Sequence, residues 1–241
     1  MKTAFITSTG RTGTGFFVHL FNNHVKNSWS LHEPKPAFRR RAGRLIKEGV
    51  KTGDVTYFKV PRLYRGMTAE KEIYVECNYH LASAMDVVRG AFPETKIIHI
   101  IRDGRDIVTS WLNRNRYITN DHITPMEVGD LEAAKKWEKW TPLQKLAWHW
   151  KVINLNAEKH NPDLFIKFED IFSEDHNHLL KVLDTIGGLD YDQEVVTNAL
   201  KTKQNYTKKA FFPEYDEWPE YWKEQFWEIA EDTMNHFGYK K

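Results

Sequence analysis

The chain has 241 residues, and its 35 Lys and Arg residues nearly balance its 33 Asp and Glu residues, which gives a formal net charge of +2. At ~150 residues per domain this length corresponds to one or two domains, and the near-neutral balance argues against a nucleic-acid partner such as duplex DNA, whose binders carry a strong basic excess. A single cysteine, Cys77, excludes an internal disulfide and favours a reducing compartment.

The first residues do not form a pattern typical of a targeting segment. The apolar run Thr3–Ser8 is too short for the core of a signal peptide, and no small-residue cleavage site follows it. No stretch approaches the ~20 consecutive apolar residues that cross a bilayer. We therefore expect no membrane span and a cytoplasmic location.

Two strand–loop–helix units organise the first half of the chain. The first begins with the strand Thr3–Ser8, passes through a Gly- and Thr-rich turn over Gly10–Gly15, and enters a helix with apolar residues at helical spacing. The second begins with Lys96–Ile101, a β-branched run typical of a central parallel strand, and Asp103 can cap the helix that follows. Each unit is the first half of a βαβ motif, which predicts a parallel sheet.

Further elements continue the alternation. The pattern predicts strands at Val55–Val60, ended by Pro61, at Ile73–Val75 and at Leu164–Phe168. It predicts helices over Leu81–Ala91, Leu131–His160 with a break near Pro142, His176–Ile186, Gln193–Leu200 and Tyr221–Phe237. We find no internal repeat or low-complexity linker, so we expect one α/β domain over residues 1–241, with three layers around a mostly parallel sheet.

The loop after the first strand is a candidate phosphate site. Its three glycines let the backbone approach an anion closely, and it opens a helix whose N-terminus favours negative charge. Arg11 adds a fixed positive charge that can bind two oxygens at once. The loop is not a Walker A motif, because Phe16 and Phe17 occupy the positions of its Lys and Ser/Thr. Hydrolysis of ATP or GTP is therefore disfavoured, and an ordinary turn remains the alternative.

A second candidate anion site follows the Lys96–Ile101 strand. Arg102 ends that strand, Ser110 lies eight residues later, and Arg114 lies four beyond Ser110. Residues four apart share a helix face, so Ser110 and Arg114 can converge on one group, and Arg102 lies at the edge of the sheet where open α/β folds bind ligands. Two guanidiniums and a hydroxyl suit a phosphate. Surface ion pairs to neighbouring aspartates are the alternative.

These two motifs resemble those of the PAPS-dependent sulfotransferases. The sequence R-T-G-T-G-F after the first strand is similar to the loop that binds the 5′-phosphosulfate in that family, and Arg102 with Ser110 is similar to its 3′-phosphate motif. The stretch Phe92–Arg114 resembles bacterial sulfotransferases related to the tyrosylprotein sulfotransferases. The resemblance covers about the first half of the chain, and it implies a P-loop-NTPase-like fold.

The resemblance implies transfer of a sulfuryl group from PAPS to an acceptor hydroxyl or amine, with PAP as product and no metal. By analogy with phosphoryl transfer, the reaction would be an in-line displacement. Arg11 would stabilise charge on the leaving oxygen. The cofactor-binding residues implied by the family motifs are Arg11, Thr12, Gly13, Thr14, Gly15, Phe16, Arg102, Ser110 and Arg114.

A general base is also required, and Glu33 occupies the position where several family members keep a catalytic Glu. A partly desolvated carboxylate there could accept the acceptor proton; an exposed, inert loop Glu is the alternative. His32 is an adjacent competitor. The cytosolic members use a His on the strand that would correspond to Val55–Val60, and no His occurs there.

Other catalytic groups are less well defined by the sequence. Lys59, at the end of the strand predicted at Val55–Val60, could contact the sulfuryl group. Cys77 takes the place of a Lys that the family often carries, which leaves the second cation open. Glu76 and His80 are further candidates for base or substrate contacts, and two lysines, Lys208 and Lys209, could close over the cofactor phosphates.

The sequence does not choose among a sugar, a lipid, a peptide tyrosine and a small molecule as acceptor, and we expect a small-molecule or glycan acceptor. The basic run Arg39–Arg44 could hold an anionic acceptor, although such runs usually form solvated faces. Two other classes of protein remain alternatives: a small-molecule P-loop kinase, and a nucleotide-binding protein of the same fold without catalysis. The oligomeric state is not indicated.

Overall fold

Parallel strands form the centre of the fold in the computed structural model, which describes residues 1–36, 38, 40–117, 123–201 and 211–241. Within these ranges the sheet has five strands in the order β2-β3-β1-β4-β5, and every neighbouring pair is parallel. They are β1 (Lys2–Ser8), β2 (Ser28–His32), β3 (Ile73–Cys77), β4 (Lys96–Ile101) and β5 (Leu164–Lys167). The predicted α/β class with a parallel sheet is confirmed.

Helices connect the strands and cover both faces of the sheet. They are α1 (Thr14–His24), α2 (Ala42–Glu48), α3 (Thr52–Thr68), α4 (Met85–Ala91), α5 (Gly104–Leu112), α6 (Pro125–Val128), α7 (Leu131–Lys136), α8 (Pro142–Lys159), α9 (Phe168–Ile171), α10 (Asn177–Ile186), α11 (Gln193–Ala199) and α12 (Glu220–His236). Short 3₁₀ turns lie at Tyr79–Ser83, Trp137–Lys139 and Tyr215–Glu217. The predicted break of the long helical region is confirmed, because Pro142 is the first residue of α8.

The core divides at the sheet, as a three-layer fold requires. Alternate residues of β1 point to opposite faces: Ala4 and Ile6 pack with apolar residues of α1, α10 and α11. Phe5 packs on the other face with residues of α3 and α4. A further apolar cluster on that side joins α5, α8 and α12.

No helix among the described residues combines the length and apolar character of a membrane span.

The strand predicted at Val55–Val60 is wrong, because these residues lie inside α3. Their helical spacing is visible in the burial: Phe58 and Arg62 are fully buried four residues apart, whereas Val60 and Tyr64 are exposed. The carboxylate of Asp54 accepts a hydrogen bond from the backbone N–H of Lys51 at 3.0 Å and caps the helix. The β-branched residues favoured a strand, but Thr56 and Val60 are exposed on the helix, and Phe58 and Arg62 form its buried face.

The edge strand beside β3 is β2, whose sequence pattern did not indicate a strand. Its alternating serines, Ser28 and Ser30, are buried. The hydroxyl of Ser28 donates to the carbonyl of Phe21 at 3.0 Å, so a polar residue is accommodated under α1. The edge of the sheet that carries Glu33 is therefore formed by Ser28–His32.

Candidate active site

The loop between β1 and α1 holds an unusual backbone conformation. Gly10, Arg11 and Gly13 have positive φ values of 85°, 60° and 72°. A Cβ atom at Gly10 would lie 2.5 Å from Trp111, and one at Gly13 would lie 2.8 Å from Phe172. Both glycines are therefore required by conformation and by space. Gly13 is also the N-cap of α1 and has no side chain that could cap the helix. The backbone N–H groups in the first turn of α1 are therefore suited to bind an anion.

Three arginines gather beside this loop. Nε of Arg11 donates to Oγ of Ser110 at 2.8 Å, and Nη1 of Arg102 donates to the backbone carbonyl of Arg11 at 3.0 Å. Burial and the positive charges of Arg114 and Arg102 lower the pKa of the Arg11 guanidinium. One nearby carboxylate, Asp106, accepts a hydrogen bond from Nη2 of Arg102 at 2.9 Å. This excess of positive charge favours a polyanionic ligand.

The structure brings the predicted second anion site against the first. Ser110 reaches Arg11 by the hydrogen bond given above, and Arg114 acts on Arg11 electrostatically. Helix α5 ends at Leu112, so Arg114 lies in the turn that follows and not on the predicted helix face. The guanidinium of Arg102 lies 4.6 Å from the ring centre of Phe168, and its buried Nε has no hydrogen-bond partner. An unpaired donor in this position suits a phosphate oxygen.

A cleft of about 390 Å³ opens over the loop. Seven of the predicted site residues line it: Arg11, Gly13, Thr14, Gly15, Phe16, Glu33 and Arg102. The other lining residues are Gly10, His32, Tyr79, Trp111, Phe168, Phe172 and Leu200. Thr12, Ser110 and Arg114 are not among them, and the side chain of Thr12 is fully buried.

Lys59 is not brought to this cleft. The residue lies in the middle of α3 and not at the carboxyl end of a strand, because the predicted strand does not exist. It is absent from the residues that line the cleft. That Lys59 contacts the sulfuryl group stays a prediction. No interaction of Lys59 in the described part of the chain supports it.

Glu33 lies at the rim of the cleft, directly after β2. Its φ is 48°, and its backbone N–H donates to the carbonyl of Cys77 at 3.0 Å. The carboxylate lies between two imidazoles, with Oε1 3.6 Å from Nε2 of His32 and Oε2 4.0 Å from Nε2 of His80. The same Nε2 of His32 lies 3.1 Å from Oγ1 of Thr14. His32 therefore links the candidate base to the phosphate loop.

The other candidates on β3 are buried and paired. Glu76 is fully buried and accepts hydrogen bonds from Nε and Nη2 of Arg62 at 2.6 and 2.7 Å, from the hydroxyl of Tyr74 at 2.7 Å, and from the amide of Asn78 at 2.9 Å. With four donors, its carboxylate has no capacity left for a substrate proton. Burial raises the pKa of the Cys77 thiol to about 12, so the thiol stays neutral.

Arg62 also supports the segment that carries Glu33. Its guanidinium donates to the carbonyls of Pro34 and Pro36, at 3.4 Å each. The buried Arg62–Glu76 pair thus joins α3, β3 and the residues after Glu33. We infer a structural role for this pair, which holds the candidate base over the cleft.

Two arginines of the basic run Arg39–Arg44 are held in structural contacts. Arg41 and Arg44 both donate to the carboxylate of Asp54, at 3.1 and 2.7 Å. Arg39 lies outside the described residues, as do Lys208 and Lys209. The structure therefore does not support the anionic-acceptor reading for Arg41 and Arg44.

Sequence reasoning missed four aromatic residues of the cleft. Tyr79 follows the carboxyl end of β3, Trp111 follows Ser110, and Phe168 and Phe172 follow β5. The rings of Phe168 and Phe172 lie 4.5 Å apart at the Gly13 end of the loop, whereas Tyr79 and Trp111 flank Gly10. The rule that ligands bind beyond the carboxyl ends of parallel strands could have found Tyr79 and Phe168.

Known proteins resemble this chain in sequence pattern and in fold. A family model described as "Sulfotransferase domain" matches residues 2–237. A comparison with curated protein sequences gave no match.

Among the described residues, no group of three or more His, Cys, Asp or Glu is arranged to hold a metal ion.

Solved sulfotransferase structures share the fold. A sulfotransferase from Alicyclobacillus acidocaldarius matches with 13% identity and a TM-score of 0.51, over 98% of this chain and 93% of that one. Mouse sulfotransferase SULT7A1 in complex with PAP matches with 15% identity and a TM-score of 0.54, over 97% and 85%. Sulfotransferase STF9 from Mycobacterium avium matches with 10% identity and a TM-score of 0.50, over 99% and 77%. The fold is the P-loop-NTPase-like α/β fold.

Proposed function

The chain belongs to the sulfotransferase family, and on that premise we propose that it moves a sulfuryl group from PAPS to a hydroxyl or amine of a small-molecule or glycan acceptor. One observation carries the proposal: the guanidiniums of Arg11 and Arg102 and the carboxylate of Glu33 line a single cleft. Fixed cations can stabilise negative charge on transferring and leaving oxygens, and a carboxylate can take a proton from the acceptor.

The residues present fit the nucleotide. The first turn of α1 and the left-handed loop before it suit the 5′-phosphate. The unpaired Nε of Arg102, together with Ser110 and Arg114, suits the 3′-phosphate. Phe168 and Phe172 offer flat apolar surface at the Gly13 end of the cleft. When bound, PAPS supplies the activated sulfuryl group.

The chain's own contribution is positioning, charge stabilisation and proton transfer. Arg11 neutralises charge that develops on the leaving oxygen. Glu33, held between His32 and His80, accepts the proton of the attacking group as the bond to sulfur forms. The displacement is in line, so Glu33 and Arg11 act on opposite sides of the transferred group.

The kinase alternative finds little support in the geometry. Phe16 and Phe17 stand where a kinase loop needs a Lys and a Ser or Thr. Their side chains are 4% and 0% exposed and pack in the core beneath α1. A non-catalytic nucleotide-binding protein would have no need of a carboxylate at the rim of the cleft, which favours the enzyme.

Parallel calorimetric titrations with PAP, ADP and ATP–Mg²⁺ test this function. We expect PAP to bind tightly and ADP, which lacks a 3′-phosphate, to bind at least about 10-fold more weakly, the effect of one charged hydrogen-bonded contact. A preference for ATP–Mg²⁺ would reject the sulfotransferase proposal in favour of a kinase. Assays with PAPS and a panel of acceptors then test transfer.

A further inference from the structure

Arg116 is a buried arginine that the proposed chemistry does not use. It lies in the turn after α5, with only 9% of its surface exposed. Its guanidinium stacks 4.4 Å from the ring centre of Trp111, and its Nη1 donates to the hydroxyl of Tyr79 at 3.2 Å. Its Nε is buried and has no hydrogen-bond partner. No carboxylate lies within 4.0 Å of this guanidinium in the described part of the chain.

An unpaired buried cation is costly, because burial removes its hydration and no counter-charge replaces it. The ring of Trp111 offsets part of this cost by a cation–π contact. The equally buried Arg62 shows the contrast, since it is neutralised by Glu76 at 2.6 Å. Within the part of the chain that the structure describes, Arg116 has no counter-charge, and this favours an anionic ligand beside its guanidinium.

The position of Arg116 indicates which ligand would bring that anion. Tyr79 and Trp111 lie at the Gly10 end of the loop, away from Phe172 at the Gly13 end. The ring of Tyr79 lies 3.9 Å from that of His80, and His80 in turn lies 4.0 Å from Glu33. Arg116 does not itself line the cleft, but Tyr79 and His80 connect it to the end of the cleft where Glu33 lies and where the acceptor hydroxyl would meet the base.

A small cavity beside Arg116 narrows the chemistry. Its volume is about 20 Å³, and Tyr79 lines both this cavity and the cleft. The cavity also contacts Thr9, whose buried hydroxyl has no hydrogen-bond partner. A space of this size holds one water-sized atom. It fits a single carboxylate oxygen and is too small for a whole sulfate or phosphate group.

Resting on the proposed function, we propose that the acceptor is a hydroxylated carboxylic acid whose carboxylate is bound by Arg116. One carboxylate oxygen enters the cavity and accepts hydrogen bonds from Nε of Arg116 and the hydroxyl of Thr9. The acceptor hydroxyl then faces Glu33 from the other side of Tyr79. Arg116 is in this view a specificity-determining residue for the acceptor.

Two matched pairs of probes test this inference: 4-hydroxyphenylacetate against 4-hydroxyphenylacetamide, and glucuronate against glucose. Each is titrated into the PAP-saturated protein, so that the phosphate sites are filled. We expect at least one acid to bind about 10- to 100-fold more tightly than its neutral partner, the range for a charged hydrogen bond. Arg116→Gln should abolish that ratio, and Arg116→Lys should retain part of it.

Lys181→Gln on the exposed side of α10 is the matched control for loss of one positive charge. It should leave the ratio unchanged. The inference is overturned when neither acid binds more tightly than its neutral partner, or when Arg116→Gln keeps the preference. Failure of PAP itself to bind would instead reject the proposed function. In that case the acids and their neutral partners are titrated into the protein without PAP, and the ratio of their affinities still tests the carboxylate site.

Discussion

Arg11 and Ser110 lie 99 positions apart in the chain, yet Nε of Arg11 donates to Oγ of Ser110 at 2.8 Å. The bond joins the loop after β1 to the helix after β4, which are neighbours because β1 and β4 pair in parallel. Two motifs that look separate in the sequence are therefore one anion-binding surface. The arginine expected on the sulfuryl group also holds the serine expected at the 3′-phosphate.

Arg102→Ala should weaken PAP binding by about 2–3 kcal/mol, the value of a charged hydrogen-bonded partner. Binding of adenosine 5′-phosphosulfate, which has no 3′-phosphate, should change little. The comparison of the two ligands by calorimetry removes any general loosening of the loop, whose Arg11 carbonyl Arg102 also holds. Equal losses for both nucleotides would show that Arg102 does not bind the 3′-phosphate. Lys181→Ala, at an exposed residue that does not line the cleft, serves as control.

Glu33→Gln should leave PAP affinity intact and lower turnover by about 10²- to 10⁴-fold, because the amide cannot accept the acceptor proton. Single-turnover rates with PAPS, measured on an acceptor found active, give the comparison. Glu94→Gln changes an exposed carboxylate of the turn before β4 and should be neutral. Normal turnover in the Glu33 variant would remove this residue from the role of base and turn attention to His32.

Gly13→Ala should destabilise the protein by about 1–3 kcal/mol and weaken PAP binding, since the backbone is left-handed and the new Cβ meets Phe172 at 2.8 Å. The contrast is Gly53→Ala in the first turn of α3, where a Cβ has open space. There the change should stabilise by about 0.5–1 kcal/mol. Chemical denaturation measures both, and a loop that tolerates alanine at position 13 would contradict the strained geometry.

The buried imidazole of His99 should make the protein less stable in mild acid. Burial lowers the pKa of His99 from 6.5 to about 4, and Nε2 bonds to Oδ1 of Asn154 at 2.9 Å. Between these pH values the unfolded chain binds a proton that the native state refuses, so the free energy of unfolding falls as pH falls from 6.5 to 4. The loss reaches about 3 kcal/mol at pH 4 and then levels off.

Denaturation curves across this pH range, for the parent protein and for His99→Gln, provide the measurement. The variant can keep the hydrogen bond to Asn154 and loses the titration. Its stability should therefore depend less on pH than that of the parent. Identical pH slopes would show that His99 is not the group responsible.

The local sequence pattern is sufficient to predict a strand and its site residues where both lie in one contiguous segment. The apolar runs of β1 and β4, each followed by a polar loop and a helix, were predicted from a dozen residues apiece. Arg11, Gly13 and Arg102 follow those strands directly, so their place at the carboxyl edge of the sheet was implied by strand direction alone. Glu33 was placed by family resemblance, and its setting between two imidazoles was not visible in the sequence.

Only the tertiary structure decides the environment of residues whose partners lie in distant parts of the chain. Val55–Val60 has the composition of a strand, but the segment is helical. One face of this helix is buried, with Phe58 in the apolar core and Arg62 paired with Glu76. Ser28–His32 looks polar, yet it forms the strand beside β3. Its buried hydroxyls have distant partners, because Ser28 donates to the carbonyl of Phe21 in α1 and Ser30 lies 3.8 Å from Sγ of Cys77 in β3. Tyr79, Trp111 and Arg116 meet because β3, β1 and β4 are adjacent in the sheet. The sequence by itself determined which segments bear charge and where the loops follow strands; long-range burial, which no local pattern encodes, decided which side chains face each other across the cleft.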